Sequence, residues 1–143
     1  MTNLRDFLLL DTGPIVAALN EDDNRHEECA DILKSYKGKL LVPSLVVAEA
    51  SYLLQTQAGV DAELEFIHGI ATGEFFVANV QTAKWERVEQ LMKKYRDFPL
   101  GATDAVVITL AEHFRMTKIA SLDKKHMLAV KPEHCDGLEL LPA

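Results

Sequence analysis

Short apolar runs alternate with segments of helical period along this chain, and that alternation restricts its fold more than any other feature. Phe7 to Leu10, Lys39 to Val42, Phe75 to Val80 and Lys118 to Leu122 read as strands, and Leu138 to Leu141 can add a final one. Runs this continuously apolar suit a sheet buried on both faces, so the predicted fold is α/β, a three-layer α/β/α arrangement around a central parallel sheet. Helices fill the intervals. Pro14 suits a first helical turn opened by Thr12 or Gly13. Cys29, Ile32, Leu33 and Tyr36 share a face of a second helix that has Glu27 and Glu28 in its first turn and Gly38 as its stop. Ser44 is a suitable cap for Leu45 to Gln57, and Asp61 to Ile70 reads as another helix. Thr82 opens a helix with Trp85, Val88, Leu91, Met92 and Tyr95 on one face. Thr103 or a neighbour opens the last long one, Asp104 to Phe114.

A chain of 143 residues with 48% hydrophobic content, and with no linker-like tract, repeat or low-complexity segment, is expected to form a single domain over 1–143. The opening MTNLRDFLLLDTGP has too short an apolar run for a secretory leader, and no stretch approaches a membrane span, so a soluble cytoplasmic protein is expected. Cys29 and Cys135 belong to no metal-binding spacing and read as reduced, buried thiols. A formal net charge of −7 argues against a protein that coats nucleic acid through a basic surface. It leaves room for a nuclease only if divalent cations reverse the sign of an acidic site.

Four acids bear on that question. Asp11 ends the first strand and Asp123 follows the fourth, at the strand ends where open parallel sheets bind ligands. Asp104 lies in the first turn of the helix leading into the fourth strand, and Glu49 lies within the apolar helix after the second. Asp11 and Asp104 also have an ordinary reading as helix-start acids, favoured by roughly 0.3–1 kcal/mol, and Asp123 as a turn residue. Glu49, inside LVVAEASYLL with no Lys or Arg one turn away, is expected to be largely buried, where an unpaired carboxylate is costly. Two unit charges about 4 Å apart repel by roughly 4 kcal/mol at an effective dielectric of about 20, so four converging carboxylates call for cations or raised pKa values. Hard oxygen donors suit Mg²⁺ or Mn²⁺.

LLLDTGPIVAAL, VPSLVVAEASYLL, LGATDAVVITLAEHF and IASLDKKHM resemble, in order, the four acid-bearing segments of PIN-domain nucleases, particularly the VapC-like toxins of bacterial toxin–antitoxin pairs. The resemblance runs from about Phe7 to the closing LELLP. It implies an endoribonuclease dependent on Mg²⁺ or Mn²⁺, in which a metal-activated water attacks an RNA phosphodiester. By position, Asp11, Glu49 and Asp104 match the metal-binding catalytic acids and Asp123 the more variable fourth. Thr12 and Thr103 match supporting polar positions, and Asp97 matches an acid of the loop before the third segment, where loop capping is the preferred role. Met127 stands where many relatives carry Phe. The resemblance further implies a homodimer and a small antitoxin that fills the acidic groove with basic residues.

Lys124, Lys125 and His126 follow Asp123 directly and are candidate contacts to the RNA backbone, with solvated side chains as the competing reading. His26 reads as a surface histidine, His134-Cys135 as too isolated for a metal site, and Trp85 and Tyr95 as core rather than stacking platforms. Two phosphotransfer readings fail. A haloacid-dehalogenase-type site needs a second Asp where Gly13 stands, and a receiver domain needs an acidic pair after the first strand and an Asp near Val80. Glycine patterns for nucleotide phosphates are absent as well. A free-standing RNA-processing PIN nuclease and a PIN-like binding protein without turnover remain the alternatives.

Overall fold

Leu8, Leu9 and Leu10 are fully shielded from water because their strand is the middle one of five. The computed structural model describes residues 6–143; residues 1–5, which open the segment read above as no leader, lie outside the described residues. Among the described residues the strands are β1 (Phe7–Leu10), β2 (Lys39–Pro43), β3 (Phe75–Ala78), β4 (Lys118–Ala120) and β5 (Glu139–Leu141). Their order is β3-β2-β1-β4-β5 and every pairing is parallel. Leu9 faces Leu41 across one ladder and Ile119 across the other, which fixes the register of the central three strands.

The helices are α1 (Thr12–Leu19), α2 (His26–Ser35), α3 (Ser44–Ala58), α4 (Val60–Ala71), α5 (Trp85–Lys94), α6 (Ala102–Phe114) and α7 (Lys124–Ala129). The chain moves outward from β1 through β2 to β3, then crosses back over the sheet to β4. Right-handed crossovers therefore place α1 to α4 on one face and α5 and α6 on the other, which gives the three layers expected. α1 packs on α2 and α3, and α3 on α4; α6 packs on α5, β1 and β2. Every residue of α6 from Ala105 to Ala111 is buried, as a helix apolar all round requires. Phe66 of α4 meets Phe75 of β3 edge to face, closing the core beside the outer strand.

Several boundaries differ from the sequence reading for local reasons. Asp11 itself caps α1, its carboxylate accepting from the Thr12 N–H, so neither Thr12 nor Gly13 is the cap. Ser44 is already helical and Pro43 precedes it without a side-chain cap. Thr82–Lys84 form a 3-10 turn and α5 begins at Trp85; Gly101 precedes α6, which starts at Ala102 rather than Asp104. The strands β3, β4 and β5 are each shorter than their apolar runs, because pairing ends where the neighbour's ladder ends. Gly38 is not a helix stop, since α2 already ends at Ser35; a Cβ at residue 38 would collide with the Asp6 carbonyl, so the glycine provides room for the entry into β2.

Trp85 is 43% exposed and Met92 37%, so the buried face of α5 is Val88 and Leu91 alone and Trp85 does not belong to the core. Tyr95 is half-buried, its hydroxyl accepting from the Lys131 N–H at 3.1 Å. Cys29 is buried as expected, whereas Cys135 is only partly so; both are free thiols. No helix among the described residues is long and apolar enough to cross a membrane.

Candidate active site

Asp11 is held on both carboxylate oxygens. Its backbone N–H extends the central ladder by donating to the Ala120 carbonyl at 2.9 Å, so the side chain emerges where β1 and β4 stop. That point is the switch in strand order, the usual binding crevice of such sheets. Both carboxylate oxygens have donors, Oδ1 from the Thr12 N–H and Oδ2 from the Ser121 hydroxyl, each at 2.8 Å. The side chain is 6% exposed. Burial pushes its pKa up, the charges of Glu49 and Asp123 add to the rise, and the Ser121 and Thr12 hydrogen bonds pull against it.

Asp104 enters from the first turn of α6 and is half-buried. Burial, then the charges of Asp11, Asp123 and Glu49, push its pKa up to about 6, with His126 opposing. Asp123 caps α7, accepting from the His126 N–H at 3.1 Å and from the His126 ring at 3.0 Å, while its own N–H donates to Ser121 Oγ at 3.1 Å.

Glu49 departs from expectation. It is exposed, not largely buried, because α3 buries the stripe Val46, Ala50 and Leu54 and Glu49 lies on its flank. The argument from an uncompensated buried charge therefore does not apply to it. Its Oε2 accepts from the Thr103 hydroxyl at 2.9 Å, tying α3 to the start of α6, and it still borders the same hollow as the other acids. Asp11, Thr12, Gly13, Glu49, Leu53, Asp104, Leu122 and Asp123 line one cavity of about 550 Å³.

Among the described residues, no three of these acids already stand as a ready-made cage for one ion. The donor set nevertheless fits a divalent cation. It offers hard carboxylate oxygens, of which those of Asp11 and Asp104 have raised pKa values through burial and then the neighbouring acids, and the cavity wall also holds Thr12, 5% exposed with its hydroxyl unpartnered. Asp11, Glu49, Asp104 and Asp123 would hold the cation, with Thr12 available to a ligand oxygen.

Ser121 escaped the sequence reading. Fully buried, it joins the Asp11 carboxylate to the Asp123 backbone. The signal was a hydroxyl two residues before Asp123 at the end of an otherwise apolar run. The remaining candidates lie off the cavity lining. Thr103 reaches it only through Glu49; Lys124 and Lys125 are exposed, Lys125 Nζ standing 5.2 Å from the Phe98 ring centre. His126 turns to Asp123, and Asp97 is exposed in its loop. His26 is half-buried, its Nδ1 2.9 Å from the Ala17 carbonyl, so it joins α2 to α1 instead of standing free on the surface.

The family model for the PIN domain matches residues 8–131. Ribonuclease VapC26 of Mycobacterium tuberculosis is 33% identical over 125 residues, 87% of this chain and 93% of that protein. This chain belongs to the VapC-like PIN-domain family. Solved structures resemble the PIN domain in fold. The sarcin-ricin-loop-cleaving toxin VapC20 of Mycobacterium tuberculosis superposes with a TM-score of 0.73 at 17% identity, over 78% of this chain and 86% of that one. VapBC2 of Rickettsia felis, bound to a promoter DNA fragment, gives 0.67 at 13% identity, over 94% and 98%. A toxin–antitoxin complex from Klebsiella pneumoniae gives 0.66 at 16%, over 86% and 92%. The PIN domain thus shares their three-layer parallel architecture.

Proposed function

We propose that this PIN domain is a cytoplasmic, single-domain endoribonuclease dependent on Mg²⁺ or Mn²⁺, the toxin of a toxin–antitoxin pair. The observation that carries the reading is the convergence of Asp11, Glu49, Asp104 and Asp123 on one cavity at the carboxyl ends of β1 and β4. Its metal-binding acids are Asp11, Glu49, Asp104 and Asp123, with Thr12 and Thr103 in support.

A divalent cation, when bound, lowers the pKa of water and neutralises charge on a phosphodiester. The chain's own residues prepare for this. Thr12 N–H and Ser121 Oγ hold both oxygens of Asp11 in one orientation, and Thr103 does the same for one oxygen of Glu49. Such fixed donors avoid reorganisation during the reaction. Asp104, with a pKa of about 6 in the bare site, is ionised above neutrality and ready to take a cation. Lys124 and Lys125 are exposed beside Asp123, and a polyanion drawn to the cavity would meet them as point charges.

The ribonuclease name of the VapC26 relative supports RNA as substrate. The relatives solved as toxin–antitoxin complexes support a small antitoxin partner. The acidic cavity would attract basic residues of that partner, and a homodimer completes the proposed assembly.

Gel-resolved cleavage of a structured-RNA pool with Mg²⁺, Mn²⁺ or EDTA tests the reading. Asp11→Asn is the control of choice, since an amide oxygen can still cap α1 while the charge is lost. We expect metal-dependent cuts that EDTA abolishes and that the variant reduces at least a hundredfold, by about 2.7 kcal/mol or more of transition-state stabilisation. Equal cleavage by folded parent and variant would overturn the assignment.

A further inference from the structure

His126 faces inward, where a residue serving only the RNA backbone would face out. Its Nδ1 lies 3.0 Å from both Asp123 oxygens, and because an ionised carboxylate only accepts, the ring N–H donates. The imidazole is also stacked on Phe98, with ring centres 4.6 Å apart and planes 32° from parallel. Phe98 belongs to the 95–101 loop that leads into α6 and Asp104, so the stack joins the segments bearing two of the four acids. A second tie runs alongside it, from the Lys131 N–H to the Tyr95 hydroxyl.

We infer that His126 is a positioning residue acting through Asp123: stacked on Phe98 and bonded through Nδ1 to both carboxylate oxygens, it fixes the side of the acid cavity that Asp123 supplies. Asp123 needs such a restraint. It stands beyond a strand of three residues and before a helix of six, so little regular structure holds it. Ser121 restrains its backbone N–H, whereas His126 restrains the carboxylate itself. The two constraints act on different atoms and neither replaces the other. Groups that orient a metal-holding carboxylate from behind typically change affinity or turnover ten- to a hundredfold.

The inference rests on the nuclease reading, and a double-mutant cycle separates the two. Cleavage of a fluorogenic RNA with Mn²⁺ is followed for the parent, His126→Ala, His126→Asn, Phe98→Leu, Asp123→Asn and the Asp123→Asn/His126→Ala pair. Mn²⁺ binding is followed calorimetrically on the same proteins. His126→Ala should lower kcat about tenfold with KM within about twofold, and lower Mn²⁺ affinity about tenfold. His126→Asn, whose amide nitrogen takes the place of Nδ1, should recover most of both. Phe98→Leu, which keeps an apolar neighbour but no stack, should fall between. In the Asp123→Asn background, His126→Ala should cost less than twofold.

A rise in KM with kcat kept would make His126 an RNA contact and overturn the inference. So would an undiminished loss in the Asp123→Asn background, or unchanged Mn²⁺ affinity in His126→Ala. A parent that binds Mn²⁺ and cuts no RNA would sink the nuclease reading, and the Mn²⁺ titrations would then decide the role of His126 by themselves.

Discussion

Asp104 shows how an acid gathered with others in one cavity trades against stability. Its carboxyl is raised from 3.8 to about 6, chiefly by burial and then by Asp11 and Asp123. The folded state therefore holds a proton that the unfolded state releases between about pH 4 and 6, so metal-free stability falls as pH rises through that window and levels off above it. Asp104→Asn should remove this slope and be more stable than the parent at pH 7 by about 1 to 2 kcal/mol, after discounting for its partial exposure to solvent. Urea melts in EDTA at pH 4.5 and 7 check it; an equal or lower stability at pH 7 would count against the charge cluster. At the same scale the sequence reading was uneven. Asp11 and Asp104 were legible because acids at strand ends and helix starts have few places to go. Glu49 lines the cavity, but not as the buried acid expected: its apolar neighbours suggested burial, whereas the stripe that α3 buries passes beside it. Ser121 was missed because one hydroxyl inside IASLD has no periodic signature, and its partner Asp11 lies 110 residues away.

At the scale of elements, α6 is the beam of the molecule, with Asp104 in its first turn and Glu112 near its last. Arg87 of α5 grips Glu112 with a two-pronged contact, Nε to Oε1 and Nη2 to Oε2, both at 2.8 Å. Burial would raise the Glu112 pKa, but the Arg87 fork and the Glu133 N–H outweigh it and hold it below the usual range. The pair's contribution is accordingly present above that range and lost as pH falls through it. Arg87→Ala should destabilise by about 2 kcal/mol, since it leaves a mostly buried carboxylate uncompensated, while cleavage per folded molecule stays within twofold. Denaturant midpoints and specific activity together test this. Helices were easier to read than their ends. The face of α5 was drawn through Trp85 and Met92 on periodicity, yet only Val88 and Leu91 are buried in the core. What covers a helix depends on partners distant in sequence, and period alone does not reveal how wide the covered stripe is.

For the whole molecule, like charge is concentrated where the sheet opens, on a chain already at −7. A cation that binds there stabilises the folded state by mass action, about 2.7 kcal/mol at a hundredfold excess over Kd. Millimolar Mn²⁺ should therefore raise the parent's Tm by several degrees, and raise that of Asp11→Asn by less than half as much. Equal shifts in scanning calorimetry would place the ion elsewhere. The three-layer architecture was readable in advance because parallel strands buried on both faces tolerate almost no polar alternation.

The tie from Asp11 through Ser121 to Asp123 also sets a clock. During synthesis the first acid leaves the ribosome early, but the hydroxyl that orients it belongs to the last quarter of the chain. Until β4 has emerged and slotted in beside β1, Asp11 lacks its Ser121 donor and the cavity lacks the side that Asp123 supplies. The four acids of the cavity therefore come together late, after most of the chain has been made.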